Sequence, residues 1–168
     1  MTARVVTFRP AEMQDIPALD DLLTRSYSRL LRADYPPSVM VTVMPLLARA
    51  QPALIRSGRY YGAFAAGRLA GCGGWTFAPP GGGPARPGEA HLRHVAVDPD
   101  MVRQGVGGGL LRFLLDDMSG QGVGRVHAAA TRTAVPFYRA GGFAAGAEVV
   151  ATLRPGIEMP LVPMVLDL

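Results

Sequence analysis

The chain has 168 residues, a formal net charge of +4 and an apolar fraction of 49%, enough for one ordinary domain with a real core and too little for two typical ones. All 17 basic residues are Arg, scattered rather than clustered, which argues against nucleic acid as a partner. No window of about eighteen residues lacks a polar, Gly or Pro interruption, so neither a membrane span nor a signal segment is expected. A single cysteine, Cys72, cannot form an internal disulfide, and a reducing cytoplasm is the expected setting.

Residues 5–9 alternate into Pro10 and predict a first strand. Asp15 offers an N-cap, with Pro17 in the first turn, for a helix whose Ile16, Leu19, Leu22, Leu23, Leu30 and Leu31 keep three-four spacing; it should end near Asp34, before Pro36-Pro37. Ser38 can cap a second helical stretch through Val39, Met40, Val43, Leu46 and Leu47, kinked or broken at Pro45 and stopped at Gly58. Residues 59–65 and 68–77 read as two strands across Ala66-Gly67, a hairpin signal. Cys72 sits in the apolar run of the second and should be buried and structural. The Pro- and Gly-rich stretch 79–88 suits neither helix nor strand. A strand over 89–97, a helix to about Met118, a strand over 124–130 and a helix over about 134–140 follow. Strands over 143–151 and 159–166 close the chain around Arg154-Pro155-Gly156.

The strand ending at Val97 breaks at Pro99 and restarts as a helix opened by Gly105, Gly107, Gly108 and Gly109. Glycines leave no Cβ in the way of a ligand, and the unpaired N–H groups and positive dipole end of a first helical turn favour phosphate. The chain has no Lys at all, which excludes a Walker loop. A dinucleotide fingerprint started at Gly105 meets Leu110 in its third glycine position and Arg125 where a ribose-binding carboxylate belongs.

The segment resembles the pyrophosphate loop R/Q-x-x-G-x-G/A of the GNAT superfamily of N-acetyltransferases: Gly105-Val106-Gly107 match, while Val102 replaces the usual Arg or Gln, with Arg103 beside it. Downstream, Phe137-Tyr138 followed by Gly142-Phe143 resembles the superfamily's F-Y-x-x-x-G-F segment, with Thr133 where Asn is commonest. The resemblance implies an α/β fold with a mixed, mostly antiparallel central sheet flanked by helices, as one acetyltransferase domain over 1–168. It implies acetyl-CoA as acyl donor, held by Arg103, Gln104, Gly105, Val106, Gly107 and Gly108 and by the backbone of Val95 and Val97, where the central strand splays and a main-chain N–H polarises the thioester. It also places the Tyr138 hydroxyl near the cofactor sulfur, to protonate the departing thiolate.

An amine of pKa about 10.4 is neutral roughly one time in a thousand near pH 7.5, so a base or a desolvating pocket must supply the free form. Glu89 and His91 on the central strand are the candidate bases, Glu89 slightly favoured. Period two puts Glu89, His91 and Arg93 on one face and His94 on the other, unless a bulge resets the phase. Tyr27, Tyr35, Met40, Tyr61, Trp75 and Phe77 could line an acceptor pocket, although each reads first as core. With no acidic cluster for a polycation, the expected acceptor is a small-molecule or peptide amine. Neither nucleic acid, membrane nor metal is expected as a partner, and a homodimer stays open. The alternatives are a non-catalytic acyl-CoA-binding or sensor domain on the same fold, and a structural domain in which the glycines serve packing alone.

Overall fold

The computed structural model describes residues 4–168. In chain order it runs β1 (Val6–Pro10), a 3-10 turn (Met13–Asp15), α1 (Ile16–Leu30), α2 (Pro37–Leu47), α3 (Pro52–Arg56), β2 (Tyr60–Ala65) and β3 (Arg68–Thr76). There follow β4 (Glu89–Val97), α4 (Val106–Gly120), β5 (Arg125–Ala130), a 3-10 turn (Arg132–Ala134), α5 (Val135–Ala140), β6 (Ala144–Ala145), β7 (Val149–Arg154) and β8 (Ile157–Asp167). The sheet order is β1-β2-β3-β4-β5-β8-β6, with β7 also paired to β8. Every pairing is antiparallel except β4 with β5, the mixed, mostly antiparallel sheet expected.

Helices cover both faces because each presents an apolar stripe. On one side Leu110, Leu111, Leu114 and Met118 of α4 pack with Trp75, Ala90, Leu92 and Val126. On the other, Leu19, Leu22 and Leu23 of α1 and Leu54 and Ile55 of α3 pack with Tyr60, Cys72 and Ala96. Cys72 is fully buried, and burial raises its thiol pKa to about 12, which makes it inert. A third cluster joins Leu31, Tyr35 and Val43 to Met159 and Leu161, seating α2 on the β7–β8 hairpin.

Several local expectations are corrected. Asp15 occupies the N-cap position of α1 but spends its carboxylate on the Glu12 N–H and the Arg9 guanidinium (2.8 Å each), stabilising the turn before the helix. The second helical stretch is two helices, not one with a kink: α2 starts with Pro37 in its first turn rather than at a Ser38 cap, tolerates Pro45 two residues before its end, and stops at Leu47. The break falls at 48–51, where Asp20 takes the Ala50 N–H (2.7 Å) and Pro52 opens a new first turn. The strand expected over 143–151 divides into β6 and β7, since Gly146 turns its N–H to the Pro163 carbonyl (2.7 Å). The hairpin at Ala66-Gly67 holds: both residues are left-handed (φ 50° and 74°), as a two-residue primed turn requires.

Two irregularities of β4 decide the site. Its pairing with β5 covers only Glu89, Ala90 and His91, after which β5 continues with β8 and β4 runs on without a β5 partner. Its register against β3 slips between Cys72 and Gly74, and His94 takes a left-handed φ of 49°, a β-bulge. Gly73 makes this close approach feasible, since a Cβ there would lie 3.0 Å from the Val95 side chain.

Candidate active site

The bulge overturns the facing of His94. Val95 and Val97 turn to the α4 side while Ala96 packs with α1, and His94 stays on the face of Arg93, where one residue, Gln51, touches both. The extra residue cancels one step of the alternation, so Glu89, His91, Arg93 and His94 all address the α1–α3 side.

Where the strands part, a cleft of about 160 Å³ is lined by His91, Leu92, His127, Ala128, Pro163 and Met164, among others. The His91 and His127 rings stack at 4.9 Å with 17° between planes, and His127 Nε2 lies 2.9 Å from Glu89 Oε2. Burial, reinforced by the charge of His127, lowers the His91 pKa below its ordinary value, so its ring is neutral near pH 7. Glu89 stands one alternation further back, in the paired part of β4. His127 escaped the sequence reading because only the parallel register, His91 opposite His127, brings it in. A larger open groove of about 940 Å³ runs between α1 and α2 and shares no residue with this cleft.

On the α4 side, Arg103 and Gly105 are both left-handed (φ 61° and 85°), and the first helical bond runs from the Gly109 N–H to the Gly105 carbonyl (3.0 Å). The helix therefore has no use for the N–H groups of Val106, Gly107 and Gly108. A Cβ on Gly105 or Gly108 would meet nothing within 4 Å, whereas one on Gly107 would lie 3.0 Å from the Phe137 ring and 3.2 Å from Val97. The Gln104 amide is tied back to the Asp100 carbonyl (3.2 Å), and Val102 and Arg103 are exposed. Asp98 anchors the corner: burial pushes its carboxyl pKa up, but hydrogen bonds from Arg25 (3.1 Å) and the Asp100 N–H (2.9 Å) outweigh this and hold it low. Open backbone at the start of a 15-residue helix suits a pyrophosphate.

The Tyr138 segment is pinned from three sides. Thr131 Oγ1 accepts the Ala134 N–H, Arg132 pairs with Glu148 (2.6 Å), and the Thr133 hydroxyl bonds Asp34 (2.6 Å). Tyr35, which with Met40 lines the α1–α2 groove, also ties the segment down, accepting the Arg132 N–H (2.9 Å) and donating to the Pro160 carbonyl (2.7 Å). Tyr138 is 7% exposed, edge-on to Phe137 and Phe143, and burial raises its phenol pKa far above the usual value. Tyr27 reaches the Val95 carbonyl from α1 (3.4 Å), and burial raises its phenol pKa. Tyr61 and Trp75 serve the core, both donating to Asp117 (2.9 and 2.8 Å).

A mixed sheet whose parallel central pair separates beside a glycine-opened helix is the architecture of acyl-CoA N-acyltransferases. Residues 19–143 match the acetyltransferase (GNAT) family, and the chain belongs to that family. Among solved structures it is similar to a GCN5-related N-acetyltransferase from Rhodopseudomonas palustris (19% identity over 100% of this chain and 99% of that one, TM-score 0.80). It is also similar to the PaiA N-acetyltransferase of Thermoplasma acidophilum in complex with coenzyme A (15%, 98% and 99%, TM-score 0.74). A GNAT family acetyltransferase from Brucella melitensis in complex with acetyl-CoA aligns at 21% identity over 84% of each chain, TM-score 0.59. At these identities the likeness is one of fold. Among proteins of curated function none matches the sequence. Among the described residues, no helix is long and apolar enough to cross a membrane.

Proposed function

We propose that this chain is an N-acetyltransferase that moves the acetyl group of acetyl-CoA to a primary amine of a small molecule or peptide by direct attack. The observation that carries the reading is the parting of β4 from β5 after His91, between a neutral imidazole at one end and the anion-ready start of α4 at the other. The donor's pyrophosphate lies against the backbone of residues 103–108, with Arg103 reaching its charge and Gln104 bracing the loop. Its pantetheine arm follows the free edge of β4 at Val95 and Val97.

His91 takes the acceptor's proton, directly or through water, and its depressed pKa keeps it unprotonated for that step. Glu89 acts behind it, holding His127 in place against the His91 ring. The amine nitrogen forms a bond to the thioester carbon, the carbon–sulfur bond breaks, and the thiolate takes its proton from Tyr138, whose raised pKa keeps it loaded across the working range. A non-catalytic acyl-CoA binder on the same fold would share the loop and lack turnover; exposed Val102, in place of a phosphate-reaching side chain, favours it.

The deciding experiment incubates the protein with acetyl-CoA and a panel of amines, following thiol release and the mass of the acetylated product. CoA at a hundredfold excess over Kd should stabilise the fold by about 2.7 kcal/mol. A melt unmoved by millimolar CoA refutes the donor, and a shifted melt without acetylation of any amine leaves the binder reading.

A further inference from the structure

Arg93 is half-buried on the face of β4 that also carries His91. Other arginines that leave bulk water do so against a carboxylate, as Arg25 does with buried Asp98, or against aromatic faces, as Arg59 does with Trp75 and Phe77. Among the described residues Arg93 has no carboxylate within 4.0 Å. It makes two long contacts to neutral oxygens, Thr76 Oγ1 at 3.4 Å and Gln51 Oε1 at 3.3 Å. Burial lowers its pKa, with no neighbouring carboxylate to oppose the effect. A guanidinium has five donors and no acceptor, and a cation removed from water without an anion costs free energy.

A second donor in need of an acceptor lies beside it. Because Arg93 can only donate, the Gln51 carboxamide must turn its oxygen to Arg93 and its NH₂ to His94 Nε2, 3.0 Å away. That nitrogen must then be the bare one, and the ring proton sits on Nδ1, a buried atom with no hydrogen-bond partner. Arg93 thus meets only neutral acceptors, at 3.3 and 3.4 Å, and no anion.

We infer that the acceptor amine carries a carboxylate and that Arg93 binds it, making a small free amino acid, rather than a peptide N-terminus, the substrate class of the reaction proposed above. The placement supports this: the Arg93 guanidinium reaches Thr76, the β3 residue paired with His91. An amino acid, whose amine and carboxylate are separated by one carbon, spans from Arg93 to His91 with its nitrogen at the imidazole. The inference rests on the acetyltransferase reading for its reaction and on Arg93 for its specificity.

The test compares L-amino acids with their C-terminal amides and with dipeptides, using acetyl-CoA and the wild-type, Arg93→Gln and Arg93→Lys proteins. The free acid of a pair should exceed its amide in kcat/KM by about ten- to a hundredfold, the range of a charge-assisted hydrogen bond. That ratio should fall toward one in Arg93→Gln, recover in part in Arg93→Lys, and leave the KM for acetyl-CoA unchanged. Equal use of acid and amide by the wild type, or a ratio that survives Arg93→Gln, overturns the assignment. Titration of N-acetyl-amino acids and their amides onto the CoA-loaded protein reads the same contact without turnover. Acid-selective binding lost in Arg93→Gln upholds the carboxylate site even if no amine is acetylated, and equal or absent binding of acid and amide refutes it.

Discussion

The Phe137 ring occupies the space that a side chain on Gly107 would need, 3.0 Å from where its Cβ would stand. The glycines of the loop therefore divide by role. Gly107 lets α4 sit against α5, and Gly108, with nothing within 4 Å of a Cβ, leaves the backbone open to a ligand. Gly107→Ala should destabilise the fold by about 1–3 kcal/mol through overpacking, whatever binds there. Gly108→Val should fold normally and raise the Kd for CoA at least about tenfold, because the branched side chain stands in front of N–H groups that would face the pyrophosphate. Val102→Arg should tighten CoA or leave it unchanged. Urea melts and calorimetry measure both quantities, and normal CoA binding by Gly108→Val would place the anion elsewhere.

Tyr138→Phe should keep the ring packing with Phe137 and Phe143 and lose only the proton donor. The expected result is a kcat lowered by about a hundredfold, the weak end of general-acid effects, since a thiol is already a competent leaving group. CoA affinity should barely change. Wild-type kcat in a folded, CoA-binding variant would return Tyr138 to the core.

The His91–His127 stack makes a pH prediction with a definite sign. A base must be unprotonated, so activity falls as pH drops through the His91 pKa, and burial and the charge of His127 both lower that pKa. The acid limb of kcat/KM should thus lie below the ordinary histidine value of about 6.5. His127→Gln removes one of the influences that lower it and should move the limb upward, while His91→Ala should lower kcat/KM by about a hundredfold or more. A limb that ignores His127→Gln would argue against His91 as the base.

His94 should make the fold acid-sensitive. Burial, helped by Arg93, lowers its pKa to about 4, while in the unfolded chain it titrates near 6.5. Between these values the unfolded state binds the extra proton, so stability falls as pH falls, by on the order of 3 kcal/mol from this group. Urea unfolding from pH 7.5 down to pH 4 should show that slope, with His91 adding in the same direction, and His94→Gln should flatten it. An unchanged slope in the variant would mean that His94 is protonated in the fold.

Much of the molecule is written locally. The turn at Ala66-Gly67 needs two left-handed residues, the start of α4 needs small residues and free N–H groups, and the stripe of Leu110, Leu114 and Met118 needs only helical period. Each depends on neighbours a few positions away, which is why the hairpin, the glycine-opened start of α4 and the Phe137-Tyr138 segment are legible in the sequence. The geometry of the candidate site is not. β4 and β5 lie side by side only at Glu89–His91, and their other edges are held by β3 and β8, distant in sequence; the bulge that turns His94 depends on β3 having a glycine opposite. His127 meets His91 only through the register of a parallel pair joined across a whole helix, and Gln51 reaches Arg93 from a break between helices that packing against Asp20 creates. These contacts join residues tens of positions apart, and no pattern within one segment encodes the energy of a contact made with another.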